Sequence, residues 1–286
     1  MQPSLTTPEY AAPGKRLFRF WDSSGPFFKI NLEQLICRNH LYLSARSNFN
    51  DPFDLHPIVK CDWTISGIRQ HAQNIFENPL QSAASPEKII SALEAPRVKA
   101  DFSLKNMRQF KQKFPQYMAE LLDAMGICCF TDEMQNPVFW ALYAGSYTGV
   151  CAEFAATGDV SHPFFNMMKV HYATQRPTIY ASQTGALSTV YGDKTDWKYI
   201  AQYGMCTKAI DWCVEREWRW WAPQRATTFQ ALPHRSFRRL FVGPRASDAT
   251  RALVVGLAKK SAASLPIFET KLSDSEFRIN HGRRLY

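Results

Sequence analysis

The residues in this chain best suited to chemistry are two glutamates, Glu215 and Glu217, in the aromatic segment Trp212–Trp221. Aromatic residues without Gly or Pro predict a β-strand here, and alternation along a strand would point both glutamates to one face. Two neighbouring carboxylates raise each other's pKa. Such a pair suits cation binding, a sugar hydroxyl or proton transfer. The alternative is structural, with Arg216 and Arg219 neutralising the pair in an ion network.

The composition favours a folded protein with an anionic partner. The chain has 286 residues, of which 45% are hydrophobic and 14% aromatic, so it can bury a sizeable core and is not wholly disordered. The formal net charge of +9 and the pI of about 9.2 favour phosphates, nucleotides or nucleic acid as partners. Because the basic residues are dispersed, charge alone does not separate these partners.

Several classes of site and location are disfavoured. Seven cysteines with no C-x-x-C spacing indicate neither a disulfide framework nor a zinc site, and the seven histidines are scattered, so we expect no metal. Cys128, Cys129 and Cys151 lie in apolar runs and are expected to be buried. No apolar stretch approaches the roughly 18 residues of a membrane span, and no signal-peptide pattern opens the chain. We therefore predict a cytoplasmic protein without membrane contact.

Strand-like and helical runs alternate along the whole chain, which predicts an α+β fold. Residues 1–14 are expected to be a mobile leader, and residues 15–286 a single α+β domain with a helical insertion over residues 64–124. The strands expected to share the core are 16–21, 40–44, 126–131, 149–154 and 214–221. Near the end of the chain a strand–helix–strand unit is predicted, with Ser247 as helix N-cap.

Six groups of short motifs occur in a fixed order over roughly residues 15–280. They are Leu17–Phe20, Leu43–Ser44 with Asn48–Asp54, Gly126–Thr131, Trp140–Ala144 with Gly149–Cys151, Trp212 with Glu215–Arg219, and Leu240–Gly243. In these motifs the chain resembles a widespread bacterial family catalogued only as a domain of unknown function (number twenty-nine seventy-one). The Phe-Asn-Asp-Pro-Phe and Trp-x-x-Tyr-Ala motifs are specific when they occur together, whereas the short Glu-x-Glu motif alone is not.

The same pattern is similar to the ADP-ribosyltransferase superfamily. That superfamily has a basic residue or His on its first strand, a Ser or Tyr on the second, and a later Glu that is often the second acid of Glu-x-Glu. The resemblance implies a mixed, mostly antiparallel sheet with Arg19, Ser44 and Glu217 in one cleft, and Glu215 as the upstream acid. The Ser-Thr-Ser triplet of arginine-modifying members is absent, since Leu43–Ala45 stands there.

The resemblance also implies that NAD is the substrate. Cleaving its nicotinamide–ribose bond builds positive charge on the ribose, which Glu217 would stabilise. Arg19 would bind the pyrophosphate, Ser44 would hold the sugar or orient Glu217, and Glu215 would polarise the acceptor nucleophile. If Glu217 lines a solvated cleft, replacing it by Gln should leave folding nearly unchanged.

Four further residues are candidates for binding the nucleotide. Trp140 or Tyr143 could stack on the nicotinamide or the adenine, although their spacing on a short helix also suits core packing. Asn50 and Asp51 could face the same cleft, although Asn-Asp-Pro is also typical of a turn.

Two other functions stay open at this point. The cleft could bind a nucleotide or RNA end without chemistry, or the glutamate pair could hold a metal in an RNA-directed enzyme. For a transferase the acceptor could be a protein, a nucleic acid, a small molecule or water, and a role as toxin, effector or phage-defence protein would fit each of these.

Overall fold

The contacts within the chain divide it into two compact units. The computed structural model describes residues 9–62, 104–157, 167–181, 197–261 and 265–286. We call Leu5–Asn50, Ala124–Tyr172 and Ala209–Tyr286 the sheet unit, and Met1–Ser4, Asp51–Asp123 and Ala173–Lys208 the inserted unit. The single domain expected from the sequence stays a prediction, because contacts do not show whether the two units unfold together.

Strands and helices are mixed along the chain, which confirms the α+β class. The strands are β1 (Arg16–Trp21), β2 (His40–Leu43), β3 (Ile58–Lys60), β4 (Gly126–Thr131), β5 (Val150–Ala155), β6 (Met167–Lys169), β7 (His171–Ala173), β8 (Thr178–Tyr180), β9 (Thr207–Ala209), β10 (Glu217–Ala222), β11 (Thr228–Ala231), β12 (Phe237–Val242), β13 (Ile267–Leu272) and β14 (Ile279–Arg284). The helices are α1 (Phe28–Arg38), α2 (Leu104–Asp123), α3 (Pro137–Leu142), α4 (Trp197–Ile200) and α5 (Asp248–Lys260). Among these described helices, none combines the length and the hydropathy that crossing a bilayer requires.

The sheet unit contains an eight-stranded sheet with strand order β14-β13-β12-β5-β1-β4-β10-β6. Its paired strands are antiparallel except for β12 and β13, which are parallel and are joined through α5. The hydroxyl of Ser247 accepts a hydrogen bond from the Thr250 amide at 3.1 Å and so caps α5. The predicted strand–helix–strand unit and its N-cap are therefore confirmed.

One face of the sheet packs against α1 and α5, and we call it the helix face. Side chains that alternate along the strands fill this core, and the helices add apolar residues at helical spacing. The strands contribute Leu17, Leu41, Leu43, Cys128, Phe130, Val150, Ala152, Trp218 and Trp220, among others. All five strands that the sequence predicted to share a core contribute to it.

The opposite face, which we call the site face, carries a smaller apolar cluster. Phe18, Cys151 and Phe241 lie in this cluster under Trp140 of α3 and Ile279 of β14. Strand pairing continues this face across the sheet, because residues paired directly across antiparallel strands share a face.

The inserted unit is described in part. Helix α2 buries Phe114, Met118 and Leu122, and it continues through Pro115. It confirms the helical character expected for the end of residues 64–124, whereas residues 63–103 lie outside the described residues. β3 and β8 pair in parallel.

The described part of the expected leader is held in place. Tyr10 forms a β-bridge with Met168, and the Ala11 amide donates to the Met167 carbonyl at 3.0 Å. The Gly14 amide donates to the Ala156 carbonyl at 2.9 Å. The prediction of a mobile leader is therefore wrong for residues 9–14, because they extend the edge of the sheet beside β6; residues 1–8 lie outside the described residues.

Replacing either of two glycines of the sheet unit by alanine should change the free energy of unfolding, but in opposite directions. A Cβ at Gly149 would lie 1.9 Å from the Trp21 carbonyl oxygen, and this backbone atom cannot rotate away. Gly149→Ala should lower the free energy of unfolding by ~1–3 kcal/mol or more. A Cβ at Gly256, within α5, meets no atom within 4 Å, so Gly256→Ala should raise it by ~0.5–1 kcal/mol. Urea unfolding of both variants measures this, and equal losses would contradict it.

Candidate functional site

The two glutamates of the Glu-x-Glu motif reach one site by a route that the sequence did not predict. Ile210–Glu215 forms a 3-10 helix, which ends at Arg216 in the left-handed region with φ 46° and ψ 47°. Strand β10 begins only at Glu217. The predicted strand is therefore wrong before residue 217, because the 3-10 helix and the left-handed residue replace its first half.

Both glutamates are nonetheless buried in the same cluster. The side chains of Glu215 and Glu217 belong to residues only 5% and 4% exposed. In addition to burial, the charges of both carboxylates raise the pKa of the Tyr143 and Tyr172 hydroxyls, so the two acids and the two hydroxyls lie close together. We call Glu215, Glu217, Tyr143, Tyr172 and Arg219 the acid cluster.

Arg219 holds the Glu217 carboxylate in a two-pronged ion pair. Its Nε and Nη2 donate to the two carboxylate oxygens at 2.7 and 2.9 Å. Arg219 is 0% exposed, and its guanidinium lies 5.6 Å from the centre of the Phe49 ring. A buried charge without its partner costs several kcal/mol, so the pair fixes both side chains in position.

Two tyrosine hydroxyls complete the acid cluster. The Tyr143 hydroxyl donates to Oε1 of Glu215, and the Glu217 amide donates to the Tyr172 hydroxyl at 2.8 Å. Burial raises the pKa of Tyr143 well above its ordinary value, and the charges of Glu215 and Glu217 raise it further. Burial also raises the pKa of Tyr172 well above its ordinary value, despite the Glu217 amide. Both hydroxyls therefore remain proton donors at neutral and moderately alkaline pH.

Cys129 borders the acid cluster but is unsuited to nucleophilic attack. Direct pairing places Cys129 opposite Arg219 and Thr131 opposite Glu217, so all four side chains share the site face. Burial, followed by the charge of Glu217, raises the pKa of the Cys129 thiol well above its ordinary range. Because the thiolate is the reactive form, this cysteine is a neutral neighbour of the acids.

Arg19 does not reach the acid cluster. Phe18 pairs with Thr131, which pairs with Glu217, so Phe18 shares the site face and the next residue points to the helix face. The Arg19 guanidinium instead donates to the Cys129 carbonyl at 3.0 Å and to Sγ of Cys128 at 3.1 Å. The expected convergence of Arg19 with Glu217 is therefore wrong, because the strand register places them on opposite faces.

Ser44 lies on the site face, farther along β4. Its amide and carbonyl form a β-bridge with Ile127, at 2.8 and 2.9 Å, which joins the end of β2 to β4. Ile127 is four residues before Thr131, so it has the same facing as Thr131. The backbone of Ser44 thus has a structural role, and its expected contact with the sugar stays a prediction.

Trp140 and Tyr143, which were both expected to stack on a ligand, have different roles. Trp140 is 0% exposed, its Nε1 donates to the Met134 carbonyl at 2.8 Å, and it packs edge-on against Phe20. It is therefore a core residue and not an open platform for a ligand. Tyr143 is half-buried and forms part of the acid cluster.

Asp51 builds the turn that Asn-Asp-Pro predicts. Its Oδ1 accepts a hydrogen bond from the Phe53 amide at 2.9 Å, and its carbonyl accepts from the Asp54 amide at 3.1 Å. Asp51 belongs to the inserted unit, while Asn50 is an exposed residue of the sheet unit. Their expected contact with a nucleotide stays a prediction.

Phe49 and Tyr172 belong to the site but were not predicted. Phe49 stood in the Phe-Asn-Asp-Pro-Phe motif, yet only the fold shows that it lies over Arg219. No spacing rule links Tyr172 to Glu217, so no signal in the sequence could have found it. Within the described ranges, no group of three His, Cys, Asp or Glu side chains could hold a metal ion.

Comparisons of this chain with protein-family models, with curated proteins and with solved structures find no match. The resemblance to the family of unknown function therefore rests on the quoted motifs alone.

The Glu217–Arg219 pair changes the expected effect of a charge-removing substitution. Glu217→Gln would remove the carboxylate charge that pairs with the buried Arg219 guanidinium, so the free energy of unfolding should fall by ~3–5 kcal/mol. This reverses the expectation of unchanged folding, which assumed a solvated Glu217. The double variant Glu217→Leu with Arg219→Met removes both charges and should recover most of the loss.

Urea unfolding of these variants measures the effect. Glu276→Gln is the matched control, because Glu276 forms an exposed ion pair with Arg278 at 3.4 Å and should cost at most ~1 kcal/mol. A double variant as unstable as Glu217→Gln alone would show that the buried charge is not the cause.

The raised pKa of Tyr143 predicts a loss of stability in alkali. Above pH 10, the ordinary pKa of tyrosine, the unfolded chain releases this proton while the folded chain keeps it, so unfolding is favoured as pH rises. Tyr143→Phe should therefore weaken the fall in the free energy of unfolding between about pH 10 and 11.5. Urea unfolding across this range tests it, with Tyr117→Phe, at a more exposed tyrosine of α2, as control. Parallel pH curves for the parent and Tyr143→Phe would contradict the prediction.

Proposed function

We propose that the acid cluster is the active site of an enzyme that cleaves the nicotinamide–ribose bond of NAD and transfers ADP-ribose to an acceptor. The observation that carries the proposal is the burial of both acids of Glu-x-Glu in one cluster with two tyrosine hydroxyls. A carboxylate held rigidly in a poorly solvated site stabilises a developing cation better than a mobile one in water.

The proposed roles follow from the contacts. Arg219 fixes the orientation of the Glu217 carboxylate, which would face the ribose as positive charge develops on it. Glu215 would polarise the acceptor nucleophile, with its position set by the Tyr143 hydroxyl. Arg19 and Trp140 have no part in this proposal, because one lies on the opposite face and the other is in the core.

A second candidate is a nucleotide-binding protein without chemistry. Arg219 engages both oxygens of Glu217 and offsets its charge, which would weaken the stabilisation of a cation by this carboxylate. A binding site needs no such stabilisation, so this contact favours binding alone. The two candidates differ in whether NAD is consumed.

The test is release of free nicotinamide from NAD by the purified protein, with water, protein or nucleic acid offered as acceptor. Glu217→Gln should lower the rate by ~10²–10³, after correction for its folded fraction. Glu215→Gln should lower the rate of transfer to an acceptor more than the rate of hydrolysis, because Glu215 would polarise the acceptor nucleophile.

Glu276→Gln, at an exposed glutamate, should leave the rates unchanged. A parent protein that releases no nicotinamide with any of these acceptors would refute the transferase and leave the binding protein. Release that survives Glu217→Gln would place the chemistry elsewhere.

A further inference from the structure

A second charged cluster lies on the site face, where β5 runs between β12 and β1. Glu153 of β5 is 2% exposed and accepts from Nε and Nη2 of Arg16 at 2.9 and 3.1 Å. Its Oε2 also pairs with Nε of Arg239 at 3.1 Å. One buried carboxylate thus holds two guanidinium groups from the flanking strands, and the cluster keeps one excess positive charge.

The two arginines keep much of their surface in contact with solvent. The side chains of Arg16 and Arg239 are 62% and 40% exposed. A guanidinium carries five N–H donors in a flat fork, and Glu153 occupies two of those of Arg16. Glu153 already holds the Arg16 side chain in one position. Binding of an anion to Arg16 would therefore cost less side-chain entropy than binding to a mobile surface arginine.

Arg16 also lines a cleft of about 300 Å³. Its apolar lining residues are Phe18, Met134 and Phe241, and its other polar ones are Asp132, Glu133, Gln135 and His281. Asp132 pairs with Nζ of Lys15 at 3.1 Å and with Nε of Arg216 at 2.7 Å, so its negative charge is offset. This volume suits a small organic ligand.

Beside Phe241, the cleft is lined by the imidazole ring of His281, which a ligand could contact. The imidazole of His281 belongs to an exposed residue, and its centre lies 4.2 Å from that of Phe268 and 5.3 Å from that of Phe241. The imidazole plane lies at 53° to the Phe268 ring and at 79° to the Phe241 ring, so these contacts hold it in position and a planar base could pack against its exposed part.

We propose that this cleft binds a nucleotide. The phosphates would lie on Arg16, with the positive charge of Arg239 beside it across Glu153, the base against His281, and the Glu133 carboxylate would accept hydrogen bonds from ribose hydroxyls. A phosphate suits the arginine fork, and a flat base suits the aromatic rings. A ligand with acidic groups at both ends fits less well, because Glu133 would repel one of them. The inference does not depend on NAD cleavage, since a protein inert toward NAD could still bind here.

Isothermal titration calorimetry on the full chain tests the proposal with ADP, adenosine and inorganic phosphate as probes. ADP should bind at least about tenfold more tightly than either fragment. Arg16→Gln should weaken ADP binding about ten- to hundredfold, the effect of losing a charge-assisted hydrogen bond. Arg283→Gln is the matched control: Arg283 also binds a glutamate, Glu269, at 2.7 Å but does not line the cleft, so ADP affinity should change less than about twofold.

His281→Ala separates the contribution of the base to ADP binding from that of the phosphates. This variant still tests the proposal if Arg16→Gln does not fold. It should weaken ADP binding several-fold and leave phosphate binding unchanged. The proposal is overturned if ADP does not bind at millimolar concentration, if adenosine binds as tightly as ADP, or if Arg16→Gln and Arg283→Gln weaken binding equally. Calorimetry measures the heat of binding and not nicotinamide release, so a failure of this proposal can be told from a failure of the proposed transferase activity.

Discussion

The buried charge of Arg219 constrains the arrangement of the site more than any other contact. A guanidinium cannot lose its proton, so burying it requires a carboxylate in a fixed position, and Glu217 supplies one. Phe49, which follows β2, covers the same guanidinium. The pair therefore joins the start of β10 to a distant loop, and it orients the Glu217 carboxylate, whose charge adds to burial in raising the pKa of both Tyr172 and Cys129.

Much of the fold was predictable because local patterns and tertiary packing agree. β4 is an apolar run, β1 and β12 are short runs rich in aromatic residues, and α1 and α5 carry their buried residues at helical spacing. The local sequence pattern gave a wrong prediction for the segment before Glu217, which forms a 3-10 helix and not a strand. Its aromatic residues favour a strand, but Arg216 adopts a left-handed conformation that ends a 3-10 helix. Single-residue backbone choices of this kind depend on tertiary contacts.

The candidate site was predicted only where residues are close in sequence. Glu215 and Glu217 were found because they are two residues apart, and Tyr143 was singled out in the Trp-x-x-Tyr-Ala motif, although for stacking on a ligand and not for its bond to Glu215. Arg19 was misplaced because strand register decides the face, and a shift of one residue moves a side chain through the sheet. No sequence pattern reports which strand lies beside which, so register could not be inferred.

The position of β1 bears on how the chain folds. It is the first strand of the sheet to be synthesised, yet it lies in the middle and pairs with β4 and β5, whose residues follow it by more than a hundred positions. Closing loops of this length costs entropy before any packing is gained. On the ribosome β1 therefore cannot pair with its two neighbouring strands until residues 126–155 have emerged. During that interval the unpaired edges of β1 can associate with other chains.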